Sequence, residues 1–361
     1  MNTEIKEGLE GVVAFRTEIA EPDREGGSLR YRGVDIEELV GTVPFEQVWG
    51  LLVDESPTPG LPPAERFTPD TLTGDAPADL QAALAALSGT WKLGKLIDIT
   101  DEQATEDLRR LSANALSIVA QSARLADGNT APVEWDTVRS GATAAERFLL
   151  EWRGEAVPEH VQAIDTYWIC TAEHGLNAST FTARVVASTG ADCGAALSTA
   201  VGALSGPLHG GAPARVLPML DAVAREGDAE TWVRDALDRK ERIMGFGHRV
   251  YRAEDPRARV LRRTAKELGS PRFDVAEALE RAALAELQRR SPDRVLATNV
   301  EFWSAVVLDV AEIPPDLTPA MFGCSRTAGW SAHILEQKRL GKLVRPSALY
   351  VGPGARSLSE L

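Results

Sequence analysis

The chain has 361 residues, which is long enough to bury a large core, and we predict two domains. Its 39 basic and 53 acidic side chains give a formal net charge of −14, which argues against nucleic acid as the main partner. A small anionic ligand would have to be bound by a local cluster of arginines, because the overall field repels anions.

The sequence indicates neither membrane insertion nor secretion. No apolar run approaches the length of a transmembrane helix, and residues 1–7 lack the basic and apolar segments of a secretory signal. The three cysteines, Cys170, Cys193 and Cys324, have no spacing typical of a disulfide framework or a metal site. We therefore expect them to be reduced, packed residues of a cytoplasmic protein.

Helix-forming residues dominate the chain and alternating strand patterns are scarce, so we predict a mainly α fold. The glycine-rich stretch 26–34 is the best candidate for a short hairpin, and apolar spacing predicts a helix over 35–53. Residues 54–69 hold five prolines and are predicted to form a surface loop. A short helix is predicted at 79–87.

Further helices are predicted along the middle of the chain. The sequence Thr-Asp-Glu-Gln at 100–103 is a capping box, which predicts the start of a long helix that ends at 127–129. Four more helices are predicted at 135–152, 159–173, 177–188 and 193–204. The last two are apolar enough to be buried centrally, as the floor of a functional site.

The helices become more charged between residues 214 and 311. This composition is typical of a smaller, more solvated domain inserted into a larger one. We therefore predict a large helical domain over 1–210 and 313–361, and a small helical domain over 211–312.

Three of the five histidines are followed or flanked by glycine. His209 lies in Gly-Pro-Leu-His-Gly-Gly (206–211), His248 in Gly-Phe-Gly-His-Arg-Val-Tyr (245–251), and His174 begins His-Gly-Leu-Asn-Ala-Ser-Thr (174–180). Glycine lets the backbone approach a ligand closely, and histidine transfers protons near neutral pH. One Gly-His pair is explained equally well by a helix C-terminus, but three such sites with arginines nearby favour an active site.

These three motifs, in this order and spacing, resemble those of the citrate synthase family. The resemblance extends from Gly8 to Gly352 and implies an all-helical fold with a large domain and a smaller inserted domain. It implies a Si-type acyltransferase that condenses acetyl-CoA with oxaloacetate to citrate and free CoA, as in the first step of the tricarboxylic acid cycle. The CoA thioester is then a substrate, and neither a further cofactor nor a metal is expected. A 2-methylcitrate synthase that uses propionyl-CoA is the near alternative, because one extra carbon is discriminated by only about 1–3 kcal/mol.

The resemblance also assigns roles to four residues of the chain. His209 would stabilise the enol or enolate of the acyl group, and His248 would hydrogen-bond or protonate the carbonyl oxygen of oxaloacetate. His174 would orient that substrate. Glu301, in Asn-Val-Glu-Phe-Trp (299–303), would be the base that takes the methyl proton.

Five arginines are assigned to the anionic groups of the two substrates. Arg257, Arg326 and Arg345 resemble substrate-binding arginines of the family, and an arginine fork suits a carboxylate because it can donate two hydrogen bonds. Arg345 resembles an arginine that reaches into the site of a neighbouring subunit, which implies a homodimer. Arg252 matches a position that contacts CoA phosphate, and the adjacent Arg249 is a weaker candidate.

Glu301 departs from the family pattern, which usually has aspartate at this position. Either the surroundings have shifted to keep the carboxylate in place, or the base is misplaced. We favour the first explanation, because the other catalytic motifs are intact and buried polar groups without a task only destabilise a fold. A non-catalytic relative that senses CoA or a tricarboxylate is therefore a weaker alternative.

A metalloprotein that uses His174, His209 and His248 as zinc ligands is the least favoured alternative, because the arginines would place positive charge beside the metal. His333 and His160 lie outside any such motif and are interpreted as a structural residue and a surface residue at a helix start.

Overall fold

The computed structural model describes residues 5–9, 11–23, 27–67, 71–210, 215–247, 254–292, 296–357 and 359. Within these ranges the chain is mainly helical. The α-helices are α1 (Ile36–Leu39), α2 (Phe45–Asp54), α3 (Ala76–Thr90), α4 (Asp101–Ala126), α5 (Trp135–Arg139), α6 (Ala144–Arg153), α7 (Pro158–Thr171), α8 (Ala178–Ser188), α9 (Cys193–Leu204), α10 (Val216–Glu226), α11 (Ala229–Asp238), α12 (Pro256–Glu267), α13 (Phe273–Arg290), α14 (Val300–Val310) and α15 (Thr318–Leu340). Short 3₁₀ helices lie at Glu7–Leu9 and Pro315–Leu317.

A small antiparallel sheet lies near the N-terminus, where the hairpin was predicted. Its strands β1 (Ala20–Pro22), β2 (Leu29–Tyr31) and β3 (Val34–Asp35) are adjacent in chain order. A two-residue turn joins β2 to β3, because Tyr31 pairs with Val34. The Tyr31 hydroxyl donates a hydrogen bond of 2.9 Å to the Ile169 carbonyl, so the sheet is fastened to the end of α7.

The helix predicted over 35–53 is wrong as one element, because the structure has α1 and α2 there with a break between them. Gly41 has a φ of 76°, and Pro44 is an extended N-cap residue. A left-handed residue cannot continue an α-helix, and a proline is tolerated only at its start. The apolar spacing therefore runs through a turn that the glycine and the proline impose.

The helix predicted over 135–152 is likewise two helices, α5 and α6. Thr143 caps α6 by accepting a hydrogen bond from the backbone of Glu146, whose side chain bonds back to the cap residue. This capping box starts a new helix. The short helix predicted at 79–87 is longer at both ends, as α3, and Thr100 caps α4 as predicted.

The last long helix, α15, is the centre of the fold. Nearly all of its residues between Thr318 and Gln337 are buried, and it packs against α2, α4, α7, α8 and α9. A helix buried on every side must lie inside a core. The prediction of buried helices over 177–188 and 193–204 is confirmed in part, since α8 and α9 pack on each other and on α15, but α8 is buried on one face only. Neither helix contributes a residue that lines the candidate site, so they do not form its floor.

The three cysteines are buried and form no disulfide, as the sequence predicted. None of the helices in the described ranges is both long and apolar enough to cross a lipid bilayer. The domain boundary proposed after residue 210 adjoins residues 211–214, which lie outside the described ranges, so the boundaries stay a prediction.

Candidate active site

A cavity of about 150 Å³ lies where α7, α12, α14 and α15 meet the loop after α7 and the turn after α9. Its lining residues are Tyr167, Thr171, His174, Asn177, His209, Arg257, Val300, Glu301, Ser304, Phe322 and Arg326. Five of the residues predicted from the sequence are therefore brought together, namely His174, His209, Arg257, Glu301 and Arg326.

The lining residues differ in how much of their surface is exposed to solvent. Tyr167, Thr171, Arg257, Ser304 and Arg326 are at most 3% exposed, and we call this part the closed end of the cavity. The other lining residues, which include His209 and Glu301, are half-buried, and we call their part the open end. A small ligand could enter the closed end and be covered by a larger one at the open end.

Arg257 is held by the residue that caps its own helix. The Asp255 carboxylate accepts hydrogen bonds from Arg257 Nε (3.0 Å) and Nη2 (2.8 Å) and from its backbone N–H. The same carboxylate accepts a bond of 3.0 Å from the Val300 backbone N–H, at the first residue of α14. Asp255 therefore bonds both to Arg257 and to the first residue of α14, the helix that carries Glu301.

Arg326 lies on α15 with its side chain fully enclosed. Its Nε donates a hydrogen bond of 3.0 Å to the Thr171 carbonyl, and its guanidinium stacks on Phe322 at 4.6 Å. Its two terminal nitrogens have no hydrogen-bond partner among the described residues. Burial lowers the pKa of Arg326, the charge of Glu173 opposes that shift, and Arg257 adds to it. A buried guanidinium with donors facing a cavity is suited to bind an anion.

Asn299 positions Glu301 by capping α14. Its side-chain oxygen accepts a hydrogen bond of 3.0 Å from the Glu301 backbone N–H, and its amide nitrogen donates one of 3.0 Å to the Gly247 carbonyl. Gly245 has a φ of 88°, and a Cβ there would lie 2.6 Å from Phe302, so only glycine fits. The loop that leads into residue 248 is thus fastened to the helix that carries the candidate base.

The Glu301 carboxylate accepts no hydrogen bond from the described residues and lines the open end of the cavity. Burial raises its pKa above the ordinary value of 4.5, and the charges of Arg257 and Arg242 partly oppose that shift. A carboxylate without hydrogen-bond donors and with a raised pKa is a stronger base than an ordinary glutamate.

His209 is neutral in its surroundings. Burial lowers its pKa from 6.5 to about 4, and the charge of Arg326 adds to the shift. Its Nε2 lies 2.9 Å from the Ser179 hydroxyl oxygen. That oxygen also lies 2.9 Å from the Asn177 side-chain oxygen and accepts a hydrogen bond of 3.2 Å from Trp330 Nε1.

This network decides where the imidazole proton lies. The Asn177 side-chain oxygen cannot donate, so the Ser179 hydroxyl donates the hydrogen bond between them, and the same oxygen also accepts from the Thr180 backbone N–H. With its single proton used, Ser179 accepts from His209, which then carries its proton on Nε2. For Nδ1 to donate a hydrogen bond, the Ser179 hydroxyl must turn from Asn177 to His209.

Comparisons with known proteins show which family the chain belongs to. A family model described as "Citrate synthase, C-terminal domain" matches residues 8–347. The chain belongs to the citrate synthase family. It is 63% identical over 352 residues to a Mycobacterium tuberculosis protein provisionally named citrate synthase 2, covering 97% of this chain and 94% of that protein. It is 34% identical over 370 residues to the 2-methylcitrate synthase of Shewanella oneidensis, covering 97% and 96%.

A solved structure agrees with the sequence matches. The citrate synthase of the archaeon Thermoplasma acidophilum, in a ternary complex with carboxymethyl coenzyme A and oxaloacetate, has a TM-score of 0.84 and 27% identity, and the match covers 99% of each chain. The chain is therefore an enzyme of the citrate synthase type, and the mainly helical two-domain fold expected from the resemblance is confirmed.

Four predicted site residues are not among the described residues that line the cavity. Arg345 is exposed in the extended segment that follows α15, and it does not line the cavity of its own chain. His248, Arg249 and Arg252 lie outside the described residues. Their assigned roles stay predictions from the family resemblance.

His333, interpreted as structural, and His160, interpreted as a surface residue, do not line the cavity. His333 is 1% exposed, and its ring lies 3.0 Å from Arg184 Nη1 and 3.3 Å from the Glu173 carboxylate. His160 is half-buried and lies 3.1 Å from Arg153 Nη1, so it is more enclosed than a surface residue.

Sequence reasoning missed several residues of the cavity. Asn177 lies in the motif that His174 begins, but it was assigned no role there. Phe322 lies one turn before Arg326, and Ser304 one turn after Glu301, so helical spacing from the predicted residues could have found both.

The described residues contain no group of three or more His, Cys, Asp or Glu side chains that could hold a metal ion. His174 and His209 do line the same cavity, yet two buried arginines line it with them. The zinc-site alternative gains no support from this arrangement.

Proposed function

We propose that the chain condenses acetyl-CoA with oxaloacetate to give citrate and free CoA. The observation that carries this proposal is the division of the cavity. Arg257 and Arg326 lie at the closed end, where a small dicarboxylate would be enclosed, and Glu301 and His209 lie at the open end. An acyl thioester that arrives second would place its methyl group beside the carboxylate of Glu301.

The proposed chemistry combines that placement with the roles that the family resemblance assigns to His174 and His248. Glu301 takes a proton from the methyl group, and the electron pair of the C–H bond forms an enolate whose oxygen accepts a hydrogen bond from His209. The enolate carbon attacks the keto carbon of oxaloacetate, and the keto oxygen takes a proton from His248. Water then hydrolyses the thioester, which releases citrate and the CoA thiol. His174 orients oxaloacetate, and the reaction requires neither a metal nor a further cofactor.

The neutral state of His209 supports its role as a hydrogen-bond donor. An imidazole with a pKa of about 4 donates near neutral pH without becoming a charged acid. A donor held in place before the reaction stabilises the developing oxyanion most. Because Nε2 faces Ser179, that role requires the tautomer protonated on Nδ1, and the Ser179 hydroxyl stabilises this tautomer by turning from Asn177 and donating to Nε2.

The acyl substrate is the least constrained part of the proposal. Similarity to a 2-methylcitrate synthase favours propionyl-CoA as a second candidate substrate. A thiol-release assay with oxaloacetate and either acyl-CoA tests the choice. We expect faster release from acetyl-CoA. Faster release from propionyl-CoA would favour 2-methylcitrate synthesis, and no release from either, with oxaloacetate still bound, would favour the non-catalytic relative.

A homodimer completes the site in this proposal. Residues 345–357 are exposed and follow the last helix, and several large apolar side chains of the extended C-terminal segment are 59–86% exposed. These are Leu343, Leu349, Tyr350 and Val351. Apolar side chains on an extended segment favour packing on a second copy of the chain, which would carry Arg345 into that copy's cavity. Arg252, with Arg249 as the weaker candidate, would bind CoA phosphate.

The buried, reduced cysteines favour a cytoplasmic location for this reaction, where the product would feed the tricarboxylic acid cycle.

A further inference from the structure

Ser304, in the second turn of α14, has a buried hydroxyl group without a hydrogen-bond partner. The residue is 1% exposed, and within the described ranges no donor or acceptor contacts its Oγ. It also lines the cavity. A buried hydroxyl that lacks a partner destabilises a fold. A ligand that accepted or donated a hydrogen bond here would satisfy this hydroxyl and explain why a serine occupies the position.

Ser304 differs from several hydroxyl residues inside helices of this chain, although the Thr180 hydroxyl in α8 also lacks a partner. The hydroxyls of Thr105 and Thr264 donate to the carbonyl four residues earlier, at 2.8 Å and 3.1 Å respectively. That local bond is the usual solution for serine and threonine in a helix. Ser304 does not make it, so the hydrogen-bonding capacity of its buried hydroxyl is unused in the protein without ligand.

The acceptor is not Glu301. Residues three apart share one face of a helix, so Ser304 and Glu301 face the same cavity. If the hydroxyl served the carboxylate, the bond would form in the protein without substrate, but the two groups are not bonded. Ser304 lies instead at the closed end with Arg257 and Arg326, where a small dicarboxylate would be enclosed.

We propose that Ser304 donates a hydrogen bond to a carboxylate oxygen of the bound dicarboxylate, and so acts as a substrate-binding residue beside Arg326. The inference rests on the proposed function and adds a neutral donor to the arginines. A neutral hydroxyl at this depth adds specificity for a carboxylate without adding charge to a buried site.

The test is Ser304→Ala, with oxaloacetate binding measured by calorimetry in the absence of acyl-CoA. We expect binding about tenfold or more weaker, as for a lost hydrogen bond to a charged acceptor. The KM for acyl-CoA at saturating oxaloacetate should stay about the same. The thermal midpoint of the ligand-free variant should rise, because the substitution removes an unpaired buried hydroxyl. A merely structural serine would lower it.

Ser112→Ala is the matched control, because Ser112 is a buried helical serine whose hydroxyl lies 3.3 Å from that of Ser331, outside the cavity. It should leave oxaloacetate binding unchanged. Ser304→Cys, which keeps the volume but is a weak donor, should bind oxaloacetate as weakly as Ser304→Ala. Unchanged binding in the Ser304 variants, or a less stable ligand-free Ser304→Ala protein, would overturn the inference alone. A parent protein that binds no oxaloacetate would contradict the proposed function as well.

Discussion

The sharpest prediction concerns Glu301 as the catalytic base. Glu301→Gln keeps the size of the side chain but cannot accept the methyl proton. The start of α14 is held by Asn299 through hydrogen bonds to Gly245 and Gly247, and by Asp255 through a bond to Val300. The backbone under the substituted residue should therefore stay in place, and the change should be confined to the lost carboxylate.

The expected size of the effect follows from the role. A general base contributes about 10²–10⁴-fold, which is about 2.7–5.4 kcal/mol of activation free energy, so kcat should fall by that factor. Oxaloacetate binding should be unchanged or slightly tighter, because Arg257 and Arg326 remain and one negative charge is removed from the cavity. A fall in kcat with an unchanged KM for oxaloacetate is the signature of a group needed in the transition state.

The assay is thiol release under saturating substrates, with Glu102→Gln as the control. Glu102 is the second residue of α4, as Glu301 is of α14, but it is exposed and outside the cavity. The control therefore makes the same change at the same position of a helix, and it should keep full activity. A Glu301→Gln variant with nearly the parent's kcat would refute the base assignment.

Glu301→Asp tests whether the site has adapted to glutamate. Shortening the side chain withdraws the carboxylate by about 1.5 Å. A misplacement of about 1 Å can slow a reaction about 10²-fold. The hydrogen bonds at the start of α14 hold its backbone in place, so the helix cannot move toward the substrate to compensate. We expect a slower enzyme, although aspartate is the usual family residue. An aspartate variant faster than the parent would refute the adapted site.

Three further predictions follow from the same geometry. Ser179→Ala should slow turnover by up to about 10²-fold with little change in oxaloacetate affinity, because His209 loses the hydroxyl that can place its proton on Nδ1. Unchanged turnover would contradict that role. The acid limb of the kcat–pH profile should lie above pH 4.5, because the raised pKa of Glu301 means that the base becomes ionised only at higher pH. A limb at or below 4.5 would contradict it. Arg345→Ala should weaken oxaloacetate binding while the dimer persists, and subunit exchange with His248→Ala should restore part of the activity. No recovery after demonstrated exchange would place Arg345 outside the partner's site.

Local motifs in the sequence were enough to select the candidate carboxylate-binding residues of the cavity. The context of Arg257 and Arg326 suggested carboxylate binding, and both are buried in one cavity. The sequence could not show that Asp255 binds both Arg257 and the start of α14, because that contact joins segments 45 residues apart. Local patterns identify such groups, whereas tertiary contacts decide how they are held.

The error in the helix predicted over 35–53 has a physical cause. Apolar spacing continues through residues 40–44, yet Gly41 and Pro44 end one helix and start another. Periodicity reports which residues face the core, and it does so even where the backbone turns. Ser304 was missed for a different reason, since a serine in an apolar helix carries no signal until its hydroxyl is seen without a partner.

The described residues around the cavity supply little net positive charge for a dicarboxylate. Arg257 and Arg326 contribute two formal positive charges, but Asp255 is paired with Arg257, and the buried Glu173 carboxylate acts on Arg326. The described residues at the closed end are therefore close to neutral, and burying a dianion among them would be costly. In the proposed dimer, further positive charge comes from Arg345, which is exposed after the last helix and would reach the cavity of a second copy of the chain. Oxaloacetate binding should accordingly depend on the dimer.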